Sequence, residues 1–334
     1  MMPNFTSCQP QRGGHLQLIL TTLIVLLGLL GNTVALWIFC FRLKKWNPNN
    51  LFLFNLVIAD ILVLVSVPLN IDALLRGHWV FRDGLCRINL FLMFANRSAS
   101  IGLMTLVAIY RYFKVVHPHH RFNRMNKKQA GYVVAFLWLL VIGPRVPMLA
   151  YSHIKGSGNN TQCFFFTSYE EPPQAIILVG ILSVLEFFIP LAMLLFCSAR
   201  ISRILRRRQM DKSQKVRRAM RVCAVIVGVF AVCFLPVTLT TIGLCIIRSY
   251  RLVDCDLFET FAKLTIVSLG LNFLNSALDP VIYCFSSSMF RKALCSLLPA
   301  ALRCGRGTGD GEAAASSSET QSMTQQESEG RQRE

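Results

Sequence analysis

Seven apolar runs recur along the chain, at about Leu16 to Phe41, Leu51 to Leu75, Leu90 to Phe113, Gly131 to Tyr151, Ala175 to Ser198, Val222 to Ile247 and Phe261 to Phe285. Each is near the roughly 20 residues that a hydrocarbon core demands. The pattern predicts an all-α membrane protein whose residues 16–285 form a seven-transmembrane helix bundle. The third and seventh runs contain ionisable residues that lower their hydropathy, so those two rest partly on their neighbours. Ser286 to Leu298 then sets Phe290, Leu294, Leu297 and Leu298 on one face with Arg291 and Lys292 beside them. That spacing predicts a short amphipathic helix over 286–298 on the cytoplasmic membrane surface. Residues 299–334 turn to Gly, Ser, Glu, Gln and Thr, the composition of a disordered tail.

Arg97 breaks this pattern most sharply. It lies mid-run between Leu90 and Tyr110, where a charged arginine costs at least roughly 2.5 to 3.5 kcal/mol on insertion scales. Such a residue should face a water-filled cavity or an anionic partner. An anion-binding site is one reading; a buried ion pair with a neighbouring helix is the other. Glu186 is the chief acid available besides Asp60, and Arg145 and Lys263 compete for it. The surplus of buried cations over acids favours an anion site.

Composition agrees with the helix pattern. The 334 residues are 53% apolar and 16% charged, well outside the range of soluble domains. The formal net charge of +18 would suit a nucleic-acid partner, but the basic residues are sorted by loop rather than gathered into one domain. Arg42, Lys44 and Lys45 follow the first run, Arg121, Arg124, Lys127 and Lys128 the third, and Arg203 through Arg221 join the fifth and sixth. By the positive-inside rule these loops are cytoplasmic, the amino terminus (1–15) is extracellular and the tail is internal. No cleavable signal peptide is expected. The sequons at Asn4 and Asn159 both fall on the predicted outer side, where glycosylation occurs. Cys8, Cys86, Cys163 and Cys255 lie on that oxidising side, and spacing alone leaves three pairings open. Cys295 and Cys304 lie near the inner surface, where palmitoylation is chemically feasible.

Single residues at helix positions carry a sharper signal. Gly31-Asn32, Leu56 to Asp60 (LVIAD), Tyr110-Arg111-Tyr112, Trp138, Pro190, Cys233 to Pro236 (CFLP) and Asp279 to Tyr283 (DPVIY) occur in order, one mark per helix. Together they resemble the rhodopsin-like (class A) G-protein-coupled receptors. Asn96 to Ser100, Arg111 to His120, Leu185 to Arg200, Arg206 to Asp211 and Tyr283 to Ser287 further resemble the subgroup of hydroxycarboxylic acid and oxoeicosanoid receptors.

The resemblance implies a plasma-membrane receptor signalling through an inhibitory-class heterotrimeric G protein to lower cyclic AMP. Its ligand would be a monocarboxylate, either a hydroxycarboxylic acid or an oxo or hydroxy fatty acid, held by Arg97. The ligand-binding set it implies is Arg97, Met93, Thr241, Phe273, Phe164 and Phe165. Phe273 and Thr241 stand where relatives have polar groups, and Phe164 to Phe166 add aromatic surface, so the pocket should be greasy. No cofactor is implied beyond an allosteric sodium ion at Asp60, Asn32, Ser100, Asn275 and Asp279, with Asp60 and Asp279 as the carboxylate metal ligands; the alternative is a proton-sharing, water-filled network without a bound ion. Arg111, Tyr110, Pro236 and Tyr283 would form the G-protein switch. Cys86–Cys163 is the implied family disulfide, and Cys8–Cys255 the implied second bond. Tyr110 departs from the family, which usually has an acid before the arginine; the local ion pair cannot form, and raised basal activity is expected.

Two other classes are weaker. A carboxylate transporter or channel would also use a buried arginine, but no inverted repeats are visible and seven spans do not divide evenly. An enzyme is not expected, because no nucleophile and base pair, metal cluster or phosphate loop stands in a plausible site.

Overall fold

The computed structural model describes residues 15–43, 45–156, 158, 161–163, 173–207, 214–249 and 255–297. It contains seven helical spans long and apolar enough to cross a membrane, in the order the sequence predicts. The first is α1 (His15–Trp37), which continues into a π turn over Ile38–Arg42. The second is broken into α2 (Pro48–Leu64) and α3 (Val67–Arg76), and the third is the single long helix α4 (Asp83–Val116). The fourth joins α5 (Lys127–Ile142) to α6 (Val146–Ala150) through a 3₁₀ turn, and the fifth is α7 (Gln174–Arg207). The sixth joins α8 (Gln214–Val229) to α9 (Leu235–Ser249), the seventh is α10 (Cys255–Ser286), and α11 (Ser288–Leu297) follows. Residues to Arg291 form one compact unit; a second unit begins at Lys292 and is described only to Leu297.

Caps and prolines set these boundaries. The Asn47 side chain accepts from the Asn50 amide at 2.9 Å, and Pro48 opens α2 where its missing N–H is harmless. Asn126 and Gln129 form a reciprocal capping box at the start of α5. Pro68 cannot supply the N–H that would continue the ladder past Val65 and Ser66, so the second run divides where the hydropathy pattern shows one helix. The π turn Phe230–Phe234 ends two residues before Pro236, whose ring removes one backbone hydrogen bond from the ladder. Several helices outrun their apolar runs, α4 from Asp83 and α7 to Arg207, because helix continues through polar residues beyond the hydrocarbon zone.

The long α4 packs against α2, α5, α7 and α8 and is the central strut of the bundle. Side chains such as Leu23 and Leu27 of α1, Phe136 and Leu139 of α5, and Ile181 and Phe188 of α7 remain exposed, as a lipid-facing surface requires. At Gly31 a Cβ would lie 2.7 Å from the Pro280 ring, so glycine is what lets α1 and α10 approach. Trp138 of α5 donates to Asn55 of α2 at 3.1 Å, which gives that sequence mark a structural role.

Candidate functional site

Arg97 projects from the middle of α4 and is 9% exposed. It stands 11 residues below Cys86, about 16 Å, and 14 above Arg111, about 21 Å along the axis. Its Nη2 donates to the Thr238 hydroxyl on α9 at 2.6 Å, and Thr238 in turn donates to the Phe234 carbonyl at 2.7 Å. The Nε of Arg97 is buried and has no acceptor. Among the described residues no acid forms a salt bridge with it. Glu186 is engaged instead by Arg145, whose Nη1 and Nη2 meet its two carboxylate oxygens at 3.0 and 2.5 Å. Ser98 donates to the same carboxylate at 2.6 Å and accepts from Arg145. The competition for Glu186 foreseen from the sequence is thus won by Arg145.

Met93 and Phe273 come together in one apolar cluster with Val25, Val63, Leu64 and Val67. Thr241 lies about one turn beyond Thr238 on α9, and its hydroxyl is returned to the Val237 carbonyl at 2.7 Å. Thr238, absent from the expected set, is the residue that meets the guanidinium. A β-branched polar residue two positions past the proline of CFLP was its only sequence signal. Phe164 and Phe165 lie outside the described residues, as do Asn4, Asn159 and Cys8, so the second disulfide expected between Cys8 and Cys255 falls there too.

The disulfide end of α4 is fixed by the Cys86–Cys163 bond, which ties the helix to a two-stranded hairpin, β1 (Ile154–Lys155) paired with β2 (Gln162–Cys163). His153 is buried at the foot of that hairpin, with its Nε2 2.9 Å from the Met148 carbonyl. Burial holds its imidazole below the usual histidine range, so the ring is neutral at physiological pH.

One helical turn below Arg97 lies a polar network. Asp60 accepts from Asn96 at 3.2 Å, Ser276 at 2.8 Å and the Tyr283 hydroxyl at 3.2 Å. Asn32 donates to the Gly28 and Ser276 carbonyls and accepts from Tyr283 at 3.1 Å. Asn275 donates to Asp279 at 3.3 Å. Among the described residues, Ser100 Oγ, Asn275 Oδ1 and Asp279 Oδ1 are buried here without a hydrogen-bond partner. Asn96 and Ser276 are members the sequence reading missed, although both are polar residues within otherwise apolar runs. Tyr283, expected at the switch, has its hydroxyl in this network instead.

At the opposite end of α4, Arg111 donates to the backbone carbonyl of Ser286 and, at 3.2 Å, to its hydroxyl. Arg218 of α8 donates to the Phe285 carbonyl at 2.7 Å. Both cations therefore cap the C-terminal end of α10, where orphan carbonyls and the helix dipole favour positive charge. Tyr110 is buried edge-on against Phe52, and Lys114 Nζ sits 4.8 Å over its ring. A cavity of about 130 Å³ opens here between Asn49, Tyr110, Arg111, Arg218 and Ser286.

Seven spans packed about a polar core, with Arg111 near the C-terminal end of the central helix, define a membrane protein of the seven-helix class. The sequence signature of the 7 transmembrane receptor (rhodopsin family) matches residues 31–283, and the chain belongs to that family. It is 38% identical to human hydroxycarboxylic acid receptor 2 over 280 residues, 83% of this chain and 76% of the relative. It is 35% identical to human oxoeicosanoid receptor 1 over 85% of this chain and 73% of the relative. It is also 33% identical to the mouse 12-(S)-hydroxy-5,8,10,14-eicosatetraenoic acid receptor, over 83% and 88%.

Proposed function

We propose that the chain is a plasma-membrane receptor, amino terminus outside, for a monocarboxylate of the hydroxycarboxylic or oxo and hydroxy fatty acid classes named by its relatives. It lowers cyclic AMP through an inhibitory-class G protein. The observation that carries the reading is Arg97: a buried guanidinium that has no acid partner among the described residues, its Nε lacking an acceptor there. A ligand carboxylate supplies both missing features, because its two oxygens match the guanidinium fork. The apolar wall with Met93 and Phe273 receives the rest of the ligand. Family membership favours this receptor reading over a transporter.

The anchor also couples binding to motion. Thr238 follows Pro236 by two residues, so the Arg97–Thr238 bond ties α4 to α9 just past the kink. A carboxylate that takes Nη2 releases Thr238, and the sixth span, α8 together with α9, is freed to pivot about the proline. At the far end the same swing pulls Arg218 from Phe285 and opens the cavity beside Arg111 to the G protein. The ligand shifts the equilibrium because its contact is better made once Thr238 has gone.

A sodium ion fits the polar network. The donor set is all hard oxygen, and Ser100 Oγ, Asn275 Oδ1 and Asp279 Oδ1 are buried without hydrogen-bond partners. Asp60 and Asp279 would supply its charge, and the ion would relieve the repulsion of two buried carboxylates.

The test is Arg97→Ala in cells with a cyclic AMP readout, challenged with short hydroxy acids and with oxo and hydroxy eicosanoids. Response to the active acid should vanish at unchanged surface expression. Unchanged potency in the variant would refute the anchor.

A further inference from the structure

Arg145 and Glu186 form a bidentate pair that the anchor reading does not use. The pair spans α7 and the turn after α5, and Ser98 of α4 closes it by donating to Glu186 and accepting from Arg145. Arg145 is 1% exposed while Glu186 keeps 27% of its side-chain surface. Ser98 directly follows Arg97, and Arg97 lies within electrostatic range of both members of the pair. A buried ion pair is a weak source of stability, since an apolar pair of similar volume does as well or better. Its effect on charge is definite: three ionised groups carry one net positive charge, and Arg97 is the member without an opposite partner.

We propose that Glu186 sets the charge class of the ligand: by holding Arg145 in a closed pair, it leaves one guanidinium for the ligand and so selects monoanions over dianions. The inference rests on the carboxylate reading of Arg97. A monocarboxylate neutralises the site. A second carboxylate on the same ligand meets the partly exposed Glu186 and finds Arg145 already filled. With Arg97 and Arg145 buried and Glu186 partly exposed, these charge terms are only partly screened. Glu186 is thus a specificity determinant that acts through Arg145 and need not touch the ligand.

The experiment uses the full-length receptor in nanodiscs, with binding of chain-matched acids read by thermal shift titration. The probes are 3-hydroxybutyrate against succinate, and dodecanoate against dodecanedioate. In Glu186→Gln, which keeps one acceptor oxygen for Arg145, the preference for the monoacid should fall at least tenfold. The double variant Arg145→Met/Glu186→Met removes both charges and should keep the wild-type preference. An unchanged preference in Glu186→Gln overturns the proposal, as does a double variant that shifts equally far. If Glu186→Gln does not fold, Arg145→Gln runs the converse: net charge falls by one, and monoacid affinity must drop at least tenfold or the proposal fails. Arg97→Ala separates the two readings. If it binds monoacids as well as the wild type, the anchor itself is wrong; if it loses them while Glu186→Gln keeps its preference, only the role of Glu186 is refuted.

Discussion

Thr238→Val tests the proposed coupling without any ligand. Valine keeps the branched shape of threonine but cannot accept the hydrogen bond that Arg97 Nη2 now donates at 2.6 Å. A hydrogen bond to a charged group contributes about 1.5 to 3 kcal/mol. The bond joins α4 to α9 only while α9 is in its present position, so its loss destabilises that arrangement and leaves the swung one unaffected. The ratio of swung to resting receptor should therefore rise by about 10- to 150-fold, a receptor resting at about 1% active reaching roughly 10 to 60%. The assay is basal nucleotide exchange on the G protein in membranes, with cyclic AMP in parallel, at matched surface expression. Thr238→Ser is the control, because it keeps the oxygen and should stay near wild type. Valine also removes the bond to the Phe234 carbonyl, and serine preserves that too, so the pair isolates the hydroxyl. Basal activity equal to wild type in Thr238→Val, or an equal rise in Thr238→Ser, would refute the latch.

Two further outcomes follow from packing and protonation. Gly31→Val places a branched side chain where even a Cβ would meet the Pro280 ring at 2.7 Å, so α1 and α10 must separate at a cost of roughly 1 to 3 kcal/mol or more. The melting temperature of purified receptor should fall, whereas Gly131→Ala, with nothing within 4 Å, should leave it equal or slightly higher. His153 has its folded-state pKa lowered by burial, so the unfolded chain takes up the proton first. The stability it contributes is complete above the ordinary value of about 6.5 and is lost as pH falls through the lowered folded one. The melting temperature should drop between pH 7.5 and 5.5, and His153→Gln should flatten that slope. An equal slope in the variant would remove His153 as the cause.

The spans were legible because hydrocarbon length and apolarity act locally, and only the third and seventh runs, which carry ionisable residues, leaned on their neighbours. What was not legible came from single residues overriding the average. Pro68 divides a run of uniform hydropathy, and the π turn before Pro236 has no composition of its own. The site followed the same division. Arg97 announces itself because charge in an apolar run needs an explanation, and Asp60, Asn32, Ser100, Asn275 and Asp279 followed from the family resemblance. Their partners are silent: Thr238, Ser276 and the Ser286 carbonyl are ordinary in sequence and become functional candidates only when another helix delivers a charge to them. The sequence reading therefore found the charges and missed the contacts that restrain them. The restraint on both arginines of α4 is made with neutral oxygen. Arg97 is tied to a hydroxyl and Arg111 to a carbonyl, where Tyr110 has displaced the usual neighbouring acid. A neutral acceptor holds a guanidinium more weakly than a carboxylate does. In the proposed mechanism that weakness would let an incoming carboxylate win the exchange at Arg97, and would let the far end open at Arg111 without breaking an ion pair.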